Sequence, residues 1–359
     1  MSTLKTKFTA LLLCTCLTLT GCASILERTY VDVTPHTSTK TDAGAPSVLR
    51  VENYQELVNS MISFISTGSE DGVIRLYMDA DQVDENLRAA RQEVMLEYPL
   101  GAYAVESISF QVEPLVAFSE AEVTFTYRRT RQQVSSIVNA TGISAVRSEL
   151  SAALSSFAPE CVLRISYFDR DAEYVRSLIR QAWYASPASA VEFPSTEVTI
   201  YPDTGSQRIA EILFTYDAEP SVLSQRVVLL EQACRRLANG LPRDEGDLLT
   251  HAARAILEAG GYDPERGSTP YHALLEGGAD DEGLALAMAA VCQDQLDVSC
   301  KVAEGIRDGE VRFWNVVSTA DGWRHVDLSR WEESQPFSTD EAWAAEGYLW
   351  DPAALPACS

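Results

Sequence analysis

One stretch of this chain is written twice, and the copy returns at a fixed distance. AEVTFTY at Ala121–Tyr127 recurs as AEILFTY at Ala210–Tyr216, and VIRLY at Val73–Tyr77 recurs as VLRIS at Val162–Ser166, both displaced by 89 residues. AVE at Ala104–Glu106 and again at Ala190–Glu192 is displaced by 86, so a small length change lies within the unit. Each copy has the same order of elements. An amphipathic helix comes first, YQELVNSMISFI in one and AVRSELSAALSSF in the other, with apolar residues at helical spacing. A short β-rich strand follows, then a second helix near Asp84–Glu97 or Ala172–Tyr184, then two β-rich segments whose alternation predicts a hairpin ending in Phe-Thr-Tyr. The unit therefore reads α-β-α-β-β over roughly 90 residues, enough to bury a small core. The expected spans are 48–138 and 139–241. Helical links follow each hairpin, and the second stops at Asn239-Gly240-Leu241-Pro242.

Beyond that stop the sequence changes character. GGADDEGLALAMAAVC (Gly277–Cys292) is a small-residue turn leading into an apolar helix, VRFWNVV (Val311–Val317) reads as a strand, and WRHVDLSRW (Trp323–Trp331) reads as the next. Together these resemble the core of the transglutaminase-like thiol hydrolases. In that family the turn delivers a Cys to the helix start, the first strand carries His, a small residue, Trp and Asn, and the second strand carries the Asp that orients the imidazole. Here Asp281 stands at the Cys position and Arg312 at the His position, while Trp314, Asn315 and Asp327 match. The resemblance covers about a third of the chain and implies an α+β module over 242–352, with a tail at 353–359. The expected architecture is thus α+β: two tandem α-β-α-β-β units, then a transglutaminase-like domain.

The two substitutions decide what the resemblance implies about chemistry. A thiolate at a helix start, paired with an imidazolium, attacks acyl carbon; a carboxylate does not replace it in amide chemistry. Arginine stays protonated at any relevant pH and cannot take and return a proton as histidine does. His36, His251, His272 and His325 fall outside the required position. A catalytically degenerate domain is expected, with Glu282, Trp314, Asn315 and Trp331 as candidate lining of a binding cleft. Two readings of the substituted pair stay open: Asp281 as a helix cap with Arg312 as a solvated strand residue, or the two as a carboxylate–guanidinium pair filling the old site. A hydrolase using Asp280, Asp281, Glu282 and Asp327 is the alternative, weakened because consecutive acids on a helix point in different directions.

The N-terminus, MSTLKTKFTALLLCTCLTLTGCAS, has two lysines, a short apolar run and Leu19-Thr20-Gly21-Cys22. It resembles a bacterial lipoprotein signal peptide (1–21) ending in a lipobox, which implies lipidation of Cys22, a membrane anchor and an extracytoplasmic, cell-envelope location. Residues 22–47, rich in Thr, Ser, Pro and Gly, read as a flexible tether. A formal net charge of -24 disfavours nucleic acid as a partner; a peptide, a glycan or an envelope protein fits better. From Leu241 onward there are 23 acidic and 8 basic residues, so most of the excess lies in the last third. Five cysteines follow Cys22. Cys292 and Cys300 flank a short helix-to-strand turn, either as a disulfide or as two small buried side chains. No cysteine spacing forms a zinc pattern, and no cofactor or metal is expected. Five of the six tryptophans fall at Trp314 or later, filling a small core or lining a groove.

Overall fold

The computed structural model describes residues 39–42, 45–242, 248–334 and 336–359. The signal segment, Cys22 and the tether as far as residue 38 lie outside the described residues. From Lys40 the expected tether is instead strand: β1 (Lys40–Asp42) pairs antiparallel with β2 (Ala45–Val51).

The first unit continues with α1 (Tyr54–Thr67), β3 (Asp71–Leu76), α2 (Val83–Leu96), the short α3 (Pro99–Ala104), β4 (Val105–Pro114) and β5 (Ser119–Tyr127). Its sheet has the order β1-β2-β3-β5-β4. Asn53 caps α1 by accepting from the Glu56 N–H, and Gly68 closes the helix in the left-handed region (φ 65°) that glycine adopts without strain. After α4 (Arg131–Ser135) come β6 (Val138–Ala140), α5 (Ile143–Ser155), β7 (Glu160–Ser166), α6 (Ala172–Tyr184), β8 (Ser195–Tyr201) and β9 (Gln207–Thr215). The second sheet has the order β6-β7-β9-β8.

The two sheets share one topology. β2 runs parallel to β3 as β6 does to β7, and the pair Ile74↔Ala121 recurs as Leu163↔Ala210, again 89 residues on, with all four side chains buried. Each unit thus has a strand before its first helix, making the repeat β-α-β-α-β-β. Those strands hid from the sequence because β2 overlaps a Thr/Ser/Pro-rich run and β6 is three residues long.

α7 (Pro220–Gly240) follows the second unit, but its buried Leu223, Leu230 and Cys234 belong to the core of the last third. A boundary at 241 therefore falls after a helix that packs forward. The last third comprises α8 (Leu248–Ala259), α9 (Pro270–Leu275), α10 (Asp281–Gln295), β10 (Cys300–Arg307), β11 (Glu310–Thr319), β12 (Gly322–Val326), α11 (Asp340–Ala345) and β13 (Tyr348–Leu349). Its sheet order is β12-β11-β10-β13. α10 is apolar on all sides and buried from Gly283 to Cys292, which suits a helix enclosed by its neighbours. Gly283 is required by packing, since a Cβ there would lie 2.6 Å from the Ala279 Cβ and 2.9 Å from the Thr269 nitrogen.

The three cores interlock. Val162 and Ile209 of the second unit sit in the first unit's core, and Leu286 of α10 sits in the second's. Glu211, buried on β9, accepts from Arg129 (2.7 Å) and from the Tyr201 hydroxyl (3.2 Å), so the junction between repeats also holds a charged bond. The expected tail is part of the fold as well: Cys358 is buried, its N–H donates to Asp340, and the Ser359 carbonyl accepts from Arg324.

Candidate functional site

The start of α10 carries the substituted position. Asp280, not Asp281, is the helix cap: its carboxylate accepts from the Gly283 N–H at 2.9 Å and also from the Ser268 hydroxyl. That leaves Asp281, buried on the first turn, to accept from the Phe313 backbone N–H at 3.0 Å across to β11. Burial pushes its carboxyl above the usual carboxylate range, while the Phe313 bond and the nearby Arg312 pull the other way. Arg312 Nη1 lies 3.8 Å from Asp281 Oδ2, whereas its closest carboxylate is Glu310 at 2.7 Å. The pair is therefore an ion pair by charge, with Asp281 held chiefly by the strand backbone. A guanidinium one-third exposed and shared with Glu310 stays protonated and does not act as a base.

Asp327, immediately after β12, accepts three bonds: from the Ser329 N–H (2.8 Å), the Ser329 hydroxyl (2.6 Å) and the Tyr348 hydroxyl (2.6 Å). Tyr348 comes from β13 and is fully buried. Its hydroxyl takes up the second carboxylate oxygen of Asp327, and the Ser329 bonds take up the first. Burial and the contact with Asp327 raise the Tyr348 phenol well above its ordinary range, so it serves as a hydrogen-bond donor throughout. In the sequence Tyr348 stands out only as one of the aromatic residues clustered after Trp314, and its bond to Asp327, 21 residues away, is not marked.

Of the candidate cleft residues, Trp314 and Asn315 are buried in the frame instead. The Asn315 amide donates to the Ala285 carbonyl at 2.8 Å and ties β11 to α10, while Trp314 centres an aromatic cluster with Trp343, Tyr348 and Trp350. As consecutive strand residues they point to opposite faces of the sheet, Asn315 towards α10 and Trp314 into the aromatic cluster, and both are buried there. Trp331 packs edge-to-face on Phe337 against the α10 core. Glu282 alone lines a cavity, on the side of α10 that faces the second repeat unit. There it accepts from the Tyr184 hydroxyl of α6 at 2.9 Å, and burial pushes its carboxyl up to about 7. The four acids weighed for hydrolysis are thus divided among a helix cap, a strand tie, an α6 contact and a tyrosine contact.

His325, on β12, has no exposed surface. The Trp314 indole N–H donates to its Nδ1 at 2.9 Å, so the ring proton sits on Nε2 and donates to Asp340 at 2.8 Å. Cys358 Sγ lies in the same cluster, and these three donor atoms fall within 4.8 Å of one another. A cation bound at Nε2 would displace the only ring proton and leave an imidazolate, since Nδ1 already accepts from Trp314. The donor set therefore serves as a structural tie between β12, α11 and the C-terminus. Cys292 and Cys300 are both buried as free thiols in contact, and burial with the Cys292 thiol alongside raises Cys300 well above its usual range.

Two cavities lie along the seam between the second unit and the last third. One, of about 630 Å³, is lined by Trp183, Arg226, Thr269, His272 and Glu282 among others; the second, of about 1200 Å³, runs between α6 and β10. Arg180 and Phe193 line both.

Two solved structures are similar to this chain in part. One is a transglutaminase, at 11% identity over 66% of this chain and 68% of that chain, with a TM-score of 0.27. The other, a protein from Cytophaga hutchinsonii assigned as a cysteine protease, is 10% identical over 40% of this chain and 65% of that one, with a TM-score of 0.26. No family model matches the sequence, and no curated protein does. At these TM-scores the likenesses carry no argument of their own; the α+β class rests on the observed elements.

Proposed function

We propose that this chain is an extracytoplasmic lipoprotein, anchored through Cys22, whose last third is a transglutaminase-like module that binds a peptide, cell-wall polymer or envelope protein without thiol catalysis. The observation that carries this reading is the fate of the three positions the chemistry needs. Asp281 is bonded to a strand N–H, Arg312 is a paired cation, and Asp327 is occupied by Tyr348. No nucleophile, no proton acceptor of the right basicity and no free orienting carboxylate remain at that place. The anchor in this reading rests on the resemblance of residues 1–22 to a lipoprotein signal peptide; among the described residues no helix is long and apolar enough to cross a membrane.

Two measurements test the reading. Membrane fractionation of the intact chain and a Cys22→Ser variant should move the protein from the membrane to the soluble fraction; a variant that stays membrane-bound removes the anchor from the proposal. Incubation of the mature protein with amine donors and glutamine peptides, cell-wall peptides and chromogenic glycosides should give no turnover. Turnover abolished by Asp281→Ala would sink the non-catalytic reading.

A further inference from the structure

The sheet of the last third has an uncovered edge. β10 bonds β11 along its whole length, from Cys300↔Val317 to Arg307↔Glu310, but β13 covers its other side only at Ile306 and Arg307. The Ser318 N–H donates to the Ser299 carbonyl at 2.9 Å in the same register. Antiparallel pairing alternates along a strand. Lys301, Ala303 and Gly305 therefore bond β11, while Val302 and Glu304 turn their N–H and C=O groups to the uncovered side. The Cys300 carbonyl, facing the same way, accepts from the Gln293 amide.

This edge lines a cleft that is open to solvent, with Lys301 and Glu304 exposed at its rim. Residues from Ser299 to Glu304 form one wall of the cavity of about 1200 Å³, and α6 forms the opposite wall through Arg176, Arg180 and Tyr184. Unpaired backbone groups inside a cleft are what an extended peptide satisfies when it adds a strand to a sheet. A strand lying along Cys300–Glu304 would need about 17 Å at the usual rise per residue.

Charge narrows the occupant. Four cations line this cleft, Arg147, Arg176, Arg180 and Lys301, against Glu173, Glu304 and Asp351, in a chain with only 28 basic residues to 52 acidic. Of the four, Arg176 is engaged by Glu173 at 2.5 Å. Arg147 donates to the neutral Gln181 amide at 3.4 Å, Arg180 stands 3.9 Å from Glu304, and Lys301 has no ion pair among the described residues. Arg180 is further shared with Tyr184 and Glu282, so the cleft keeps one positive charge in excess, in a chain of net charge -24.

We propose that the cleft between α6 and β10 binds an extended acidic peptide segment of a partner protein as an additional strand beside β10. The proposal deepens the binding reading above by giving the ligand its chemistry and its place. Backbone pairing at Val302 and Glu304 supplies the strand geometry, and Arg147, Arg180 and Lys301 select acidic side chains.

The test is fluorescence anisotropy on the full mature chain at low ionic strength, with a labelled decapeptide alternating Val or Thr with Glu as the probe. Saturable binding is expected, weakened about tenfold or more when Lys replaces Glu in the peptide, by the paired variant Arg180→Glu/Lys301→Glu, and by N-methylation of alternate peptide amides. Circular dichroism and urea midpoints establish that the paired variant is folded. If it is not, the N-methylated probe on the unaltered chain decides. Absence of saturable binding overturns the proposal. So does binding indifferent to N-methylation, or displacement by acidic oligogalacturonate as effective as by unlabelled peptide, either of which assigns the cleft to charge or saccharide recognition. Turnover dependent on Asp281 would overturn the non-catalytic reading and leave the cleft result standing.

Discussion

Replacing Glu282 by Gln should stabilise the protein at alkaline pH and leave it unchanged in acid. Glu282 sits between the cavity and the Tyr184 hydroxyl, and burial raises its carboxyl from 4.5 to about 7. A raised carboxyl binds its proton more tightly in the folded state, so its contribution is complete below the unfolded value and is lost as pH climbs through about 7. At about 1.36 kcal/mol per pH unit, a shift of about 2.5 units corresponds to about 3 kcal/mol. Partial exposure at the cavity wall reduces this to between about 1 and 3 kcal/mol. Gln keeps an acceptor for Tyr184 and never ionises. Urea unfolding of both proteins between about pH 5 and pH 8.5 should therefore show the variant's advantage growing with pH up to about 7 and level above it. A difference that stays constant across that window would refute the assignment of burial as the cause.

Further outcomes follow from the same kind of accounting. Asp281→Ala leaves the buried Phe313 N–H without an acceptor and should cost about 1–3 kcal/mol in urea unfolding, with Asp281→Asn losing less because its amide oxygen still accepts. His325 is held neutral by burial, so a proton NMR titration should find it still unprotonated below the ordinary histidine midpoint of about 6.5, and stability should fall as acid forces its protonation. Trp314→Phe removes the donor to His325 Nδ1 and should destabilise by more than the lost apolar surface alone, read as a double-mutant cycle with His325→Phe. Cys292 and Cys300, buried in contact, should react with a thiol reagent only at the rate of unfolding; rapid labelling of the native state would contradict the packing.

The sequence carried the repeat well because its anchors are strand residues at equivalent register positions: Ile74 and Ala121, then Leu163 and Ala210, pair in the same way in both sheets. It carried α7 as well, since Pro220 and Gly240 punctuate an unbroken helical pattern. Short strands fared worse. β6 has three residues, and no periodicity can be read from so few. At the candidate site, the frame residues were legible in place but not in role. Asp280 and Asp281 are adjacent acids, and only the backbone geometry tells which one caps and which one turns to Phe313. The Tyr348–Asp327 bond and the open side of β10 were not legible because both depend on strands that meet across the fold, not along the chain.

The sharing of core residues between the repeats has a temporal meaning. Val162 and Ile209 fill the first unit's core, so that unit cannot be completed until the chain has been made past position 209. As the chain emerges, on synthesis or on export, the first sheet would carry an apolar gap, exposed until its sequel arrives. Two sheets of one topology are in that interval competing partners, each able to offer the same edge to the wrong copy. Divergence between the copies, which left only fragments such as AE-x-x-FTY in common, reduces the chance of that exchange.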